Sequence, residues 1–220
     1  MYDHRSRLKK RMTAGAAIVG AEVVAQEGVI GVSDHGGWAV LVTATGDGAL
    51  VDRRRVDLVE DGLPKIPHHS EARRLPVDEA VKLVERVRES AEQHAKSVLE
   101  TISRELPVRI AGIALRQCPE LPATVAECIT NYRAQNVADW VMYRKALAAA
   151  AEAQGWRVYW YDPRRVQEIA TKAMRIENLD EHFANLRRSI GPPWGQDHKM
   201  AMVAAIPAIS TRNVRRAAAE

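Results

Sequence analysis

The stretch "VIGVSDHGGWAVLVTATGDGALVDRRRVDLVEDG", residues 29–62, decides how the rest of the chain is read. It opens with apolar and β-branched residues that run to Thr43, breaks at Gly46, Asp47 and Gly48, and resumes with Leu50, Val56 and Leu58 set among charged neighbours. Two such runs around a Gly-Asp-Gly break form a hairpin, because glycine supplies the positive φ that a tight turn demands. The expectation is two strands, residues 29–43 and 49–59, the second with one face in solvent. Asp34 stands in the first strand beside Gly36 and Gly37. A carboxylate there serves either as a turn residue bonding its own backbone or as a ligand for a cation.

Beyond the hairpin, apolar spacing changes to a helical period. A linker with Pro64, Pro67, His68 and His69 leads to residues 77–105, where Ala80, Val84, Val87, Ala91, Ala95, Val98 and Ile102 line one face of a long helix. The two histidines have no cysteine or acid at ligand spacing and read as a solvated pair. Pro107 stops the helix, and the uncharged run 110–115 is the pattern of a strand covered on both faces. Residues 123–153 read as a second helix closed by Gly155, and the aromatic 156–161 as a strand. Further helices are expected over 163–174, 179–189 and 197–205, the last two separated by the rigid "GPPWG" of 191–195. Strands alternating with helices imply right-handed crossovers and a largely parallel sheet beyond the hairpin. The aromatics Trp156, Tyr159, Trp160 and Tyr161 cannot all face inward from one strand.

Composition sets the class without naming a function. The chain has 220 residues, 46% of them hydrophobic and 27% charged, within the range of one globular domain that needs no disulfide. Cys118 and Cys128 lack the spacing of a zinc knuckle or redox pair, so a reducing, cytoplasmic setting is expected. The longest apolar stretch near the start, residues 14–25, contains Glu22 and is too short to span a bilayer. The net charge of +4 resides in residues 1–12, where Arg5, Arg7, Lys9, Lys10 and Arg11 face only Asp3, and the remainder sums to zero. Three segments follow: a basic arm with an Ala-rich helical extension over 1–27, one domain over 28–207, and a basic tail over 208–220.

Three stretches carry a family resemblance. "GVSDHGGWAVLV" (residues 31–42), "YRKALAAAAEAQGWRVYWYDPRRVQE" (143–168) and "DHKMAMVAAI" (197–206) resemble, in that order, the first strand, the middle helix-strand-helix and the final helix of the ribonuclease H-like superfamily. The RuvC-type Holliday-junction resolvases are the branch they look most like. The resemblance implies an α/β fold with a mixed sheet, an antiparallel hairpin plus parallel strands, flanked by helices. It implies Asp34 and Asp197 as ligands for Mg2+, which Mn2+ can replace, with His198 beside them, structured or branched DNA as substrate, and a homodimer. The family's central-strand glutamate has no counterpart in residues 110–117, where Ala114 or a neighbour takes its place. Met200 replaces the last acid, three residues after Asp197. Glu71, Glu120 and Glu127 remain as acids that folding could bring into the gap.

Two divalent ions about 4 Å apart drive phosphodiester hydrolysis in such sites. Two carboxylates would hold one ion loosely. Between residues 133 and 175 bases outnumber acids by four, and Arg133, Arg144, Lys145, Arg164 and Arg165 are the candidates for phosphate contacts. Two readings therefore stand: a weak or degenerate metal-dependent nuclease of structured DNA, and an inactive ribonuclease H-like module that binds nucleic acid or a protein partner. An actin-like ATPase ranks below both, since no second Gly-rich phosphate loop is present.

Overall fold

A computed structural model describes the backbone of residues 26–217 and the side chains of residues 26–209. Nearly all of the basic arm and Ala-rich helical extension expected over residues 1–27 lies outside the described residues. The hairpin expected as two strands is three. β1 (Glu27–His35) and β2 (Trp38–Thr45) are joined by Gly36 and Gly37, and β3 (Leu50–Asp57) follows the Gly46–Gly48 turn. The first break falls in the polar, glycine-rich Ser33–Gly37, expected as part of one strand although a Gly-Gly pair is itself a turn signal. Gly37 makes it, with φ at +77°, where a Cβ would press on the Lys65 side chain and Val59.

α1 (Val77–Glu105) leads to β4 (Arg109–Arg116), which is followed by α2 (Val125–Thr130), α3 (Tyr132–Ala153) and β5 (Arg157–Tyr161). The single helix expected over 123–153 divides at Asn131, whose side chain accepts from the backbone N–H groups of Arg133 and Ala134 and so starts α3 afresh. α4 (Val166–Met174), α5 (Leu179–Ile190) and α6 (Gln196–Ala217) complete the order. α6 runs unbroken through residue 208, and Ala208 and Ile209 are buried, so the expected tail begins as helix.

The sheet order is β3-β2-β1-β4-β5. β1, β2 and β3 are antiparallel, while β1, β4 and β5 run parallel. This is the mixed sheet expected from the sequence, an antiparallel hairpin unit extended by parallel strands and flanked by helices. β4 is an interior strand, buried from Ile110 to Leu115. Each face of the sheet has its own core. Ile30, Val32, Ile113 and Leu115 pack with α1 and α3 on one face; Val29, Val40, Val42 and Ala114 pack with α4, α5 and α6 on the other. α6 comes unusually close to β1 because Gly31 has no side chain: a Cβ there would sit 1.8 Å from the Ala201 carbonyl oxygen. Ala201 and Ala205 complete that approach from the helix side.

The linker before α1 is pinned from α3. Asp139, fully buried, accepts from His68 Nδ1 at 2.7 Å and from the backbone N–H groups of His68 and His69 at 3.0 and 3.1 Å. Tyr143 donates to the Lys65 carbonyl at 2.8 Å. His68 is therefore a buried structural group rather than a solvated one, because a buried carboxylate must be met by donors.

Candidate functional site

Successive residues of a strand point to opposite faces of the sheet, and that alternation decides what the end of β1 can do. Ile30, Val32 and Asp34 face α1 and α3; Gly31, Ser33 and His35 face α6. Asp34 is consequently on the α3 side. Its Oδ2 accepts from Arg144 Nε at 2.8 Å, and the two side chains are 3% and 7% exposed. Arg144 Nη1 also donates to the Gln117 carbonyl at 3.4 Å, which ties the pair to the end of β4.

Asp197, in the first turn of α6, lies on the other face. Its Oδ1 accepts from Ser33 Oγ at 3.0 Å and from His35 Nε2 at 2.8 Å. The His35 ring stacks on Trp38, with centroids 4.0 Å apart and planes 5° from parallel, and the Arg55 guanidinium lies 4.5 Å from the Trp38 ring centre. The cluster is polar and half-exposed, but its order is unsuited to a hydroxyl nucleophile. In such a centre the imidazole takes the hydroxyl proton, whereas here Ser33 and His35 both donate to one carboxylate oxygen.

The pair expected to share a metal is thus not brought together. Asp34 and Asp197 are engaged by different partners on opposite faces of β1. The other two positions do not repair the set. Ala114 is 1% exposed and packs into the α6-side core, and Met200 Sδ accepts from Gln167 Nε2 at 3.8 Å. Glu127 closes the capping box of α2, Glu71 accepts from Ser70, and neither reaches β1. Among the described residues no three His, Cys, Asp or Glu side chains gather closely enough to hold a metal ion. The described residues do not fit a two-magnesium site, which needs several hard oxygen ligands around each ion.

His198 is likewise occupied. Its Nδ1 accepts from the Gly195 N–H at 3.2 Å, at the start of α6, and its ring lies 5.8 Å from that of Trp194. Burial, then the charge of Arg53, hold its pKa below the ordinary 6.5, against an opposing pull from Asp197. Arg53 itself donates to the carbonyls of Ile190, Gly191 and Pro192 and so fastens the α5–α6 loop to β3.

Where β1 and β4 part, Tyr161 fills the opening from β5. Its hydroxyl donates to the Val32 carbonyl at 3.2 Å, and burial, reinforced by the charge of Asp34, pushes its pKa up to about 12. It stays protonated and acts as a prop.

No family model and no curated protein matches the chain. Two similar solved structures are "T. thermophilus RuvC in complex with Holliday junction substrate" and "Thermus thermophilus RuvC structure". Each is 15% identical, and each match covers 85% of this chain and 96% of that chain, with TM-scores of 0.46 and 0.43. Likeness of this degree assigns no activity.

On the α3 side a cleft of about 490 Å³ opens at the carboxyl ends of β4 and β5, lined among others by Arg116, Gln117, Asn136, Trp140, Arg144 and Arg164. Of the expected phosphate contacts, Arg144 is 6% exposed and committed to Asp34, so it is withdrawn from that role. Arg133, Lys145, Arg164 and Arg165 are exposed, and Arg164 lines the cleft. Sequence reasoning missed Ser33, His35, Arg116 and Trp140. The signal for the first two was available: Gly31, Ser33 and His35 share strand parity, and a glycine two residues before a Ser-x-His marks the face that a helix approaches.

Proposed function

We propose that the chain is a ribonuclease H-like module that binds nucleic acid, structured DNA in the first place, without hydrolysing it by a two-metal route. The observation that carries this reading is the division of Asp34 and Asp197 between the two faces of β1, each already satisfied by a cationic or hydrogen-bonding partner. Stable networks have replaced an open set of ligands. Binding needs none of them. Among the described residues, Arg116 and Arg164 have no carboxylate within ion-pair distance, and such arginines attract phosphate and release its counterions.

The test compares a four-way junction with a linear duplex at low and high salt, with and without magnesium or manganese. Salt-dependent binding with no metal-dependent cleavage is expected. Cleavage that requires the metal and disappears in Asp197→Asn would restore the nuclease. Absence of binding at every salt concentration would remove nucleic acid as the ligand and leave a protein partner.

A further inference from the structure

The cleft at the ends of β4 and β5 has the parts of a site for one nucleotide. Asn136, Trp140 and Arg144 follow one another at four-residue intervals on α3, so they form a stripe along one side of the helix. Arg116 closes β4 and also lines the cleft, and Arg164 sits just after β5, where its backbone N–H donates to Asp162 Oδ1 and sets the loop. Arg144 forms the floor with its charge answered by Asp34, which leaves Arg116 and Arg164 as the unanswered cations. The volume falls within the range of roughly 300–1,000 Å³ typical of small-molecule sites. The carboxyl ends of parallel strands are also where open α/β sheets receive ligands.

We infer that this cleft takes one unpaired nucleotide of the bound strand, its phosphate between Arg116 and Arg164 and its base against Trp140. The inference rests on the nucleic-acid reading above and adds what that reading lacks, a reason to prefer one structure over another. Guanidinium groups meet phosphate oxygens with two donors at once, an indole offers a flat face to any base, and the amides of Asn136 and Gln117 carry both donors and acceptors for a base edge. A base inside a duplex cannot enter such a cleft without being unstacked, whereas one at a bulge, flap or junction is already free. Discrimination therefore arises from the cost of extrusion, without sequence readout.

The experiment measures binding of the full chain to two DNA duplexes, one fully paired and one with a single unpaired nucleotide, and to adenosine 5′-monophosphate alone. Stacking of one base on an aromatic ring predicts a preference for the bulged duplex between about fivefold and a hundredfold. Trp140→Ala should abolish that preference, and Trp140→Phe should restore it. Arg116→Gln combined with Arg164→Gln, which releases the one phosphate they hold, should lower the log–log salt slope for the bulged duplex by about one, at roughly 0.9 per phosphate neutralised. Thermal unfolding of each variant separates impaired binding from impaired folding. Equal binding of both duplexes, or a preference that survives Trp140→Ala in a folded protein, overturns the inference while the nucleic-acid reading stands. Binding of the mononucleotide, abolished in the double arginine variant, with no binding of either duplex, would keep the cleft as a nucleotide site and overturn the nucleic-acid reading.

Discussion

Removing either member of the Asp34–Arg144 pair leaves a charge in the interior with no counter-charge. Breaking a buried pair in this way costs about 3–5 kcal/mol, whereas replacing both members with apolar residues of similar volume is often close to neutral. Asp34→Ala should therefore be strongly destabilising in urea unfolding, and Asp34→Leu combined with Arg144→Met should recover most of the loss. A single substitution costing under about 1 kcal/mol would mean that the pair is as dispensable as a surface one. His198 gives the second residue-scale prediction. Its folded pKa is depressed, so as pH falls below about 6.5 the unfolded chain takes up a proton that the folded chain resists. Stability present above that pH should decline toward the folded value. Replacing His198 with glutamine, whose amide oxygen can still accept from Gly195, should flatten that decline in unfolding curves recorded across the range. At this scale the sequence was least legible. Asp34 and Asp197 are suggestive by type and position, but one step of strand parity separates a ligand from a structural ion pair, and parity shows only once a neighbouring helix is assigned to a face.

Between β1 and α6 the contact depends on an absence of atoms. Gly31→Ala would push a methyl group into the backbone of Ala201 and Ala205, where no flexible side chain can yield. Overpacking commonly costs about 1–3 kcal/mol, and a clash against helix backbone belongs at the upper end or beyond. The expected result is a marked fall in melting temperature, with hydrogen exchange accelerated in α6 before α1 or α3. α3 supplies a gentler case: Asn131→Ala removes the acceptor for two N–H groups at its first turn and should cost roughly 1 kcal/mol. Elements with a long, clean period were legible, and α1 occupies the residues its apolar spacing marked. At Asn131 a single capping residue divides a helical pattern that continues on both sides and so concealed the break, whereas the Gly36–Gly37 turn was signalled by Ser33–Gly37 and overlooked because apolar residues resume at Trp38. His68 was misread for a related reason, since its acceptor, Asp139, is 71 residues away.

Across the whole molecule, charge and connectivity act separately. The excess of +4 belongs to residues 1–12, so deleting them should weaken binding to paired duplex and reduce its salt slope by about one unit for each phosphate that the arm neutralises. The preference for an unpaired nucleotide should survive, because the cleft residues remain. Salt titrations on the two duplexes check both halves of this expectation. The order of strands and helices was legible because crossover handedness leaves few ways to arrange it. The close seating of α6 carries a different consequence, one for how the protein is made. His35 and Asp197 meet across 162 residues, and until they do the sheet face bearing Val29, Val40, Val42 and Ala44 lacks its α6 cover. Such distant pairings slow folding, and bare apolar sheet is prone to self-association. A nascent chain should therefore rely on chaperones until α6 has emerged, and a chain truncated before Gln196 should accumulate as a dye-binding, aggregating species with its α1–α3 layer already in place.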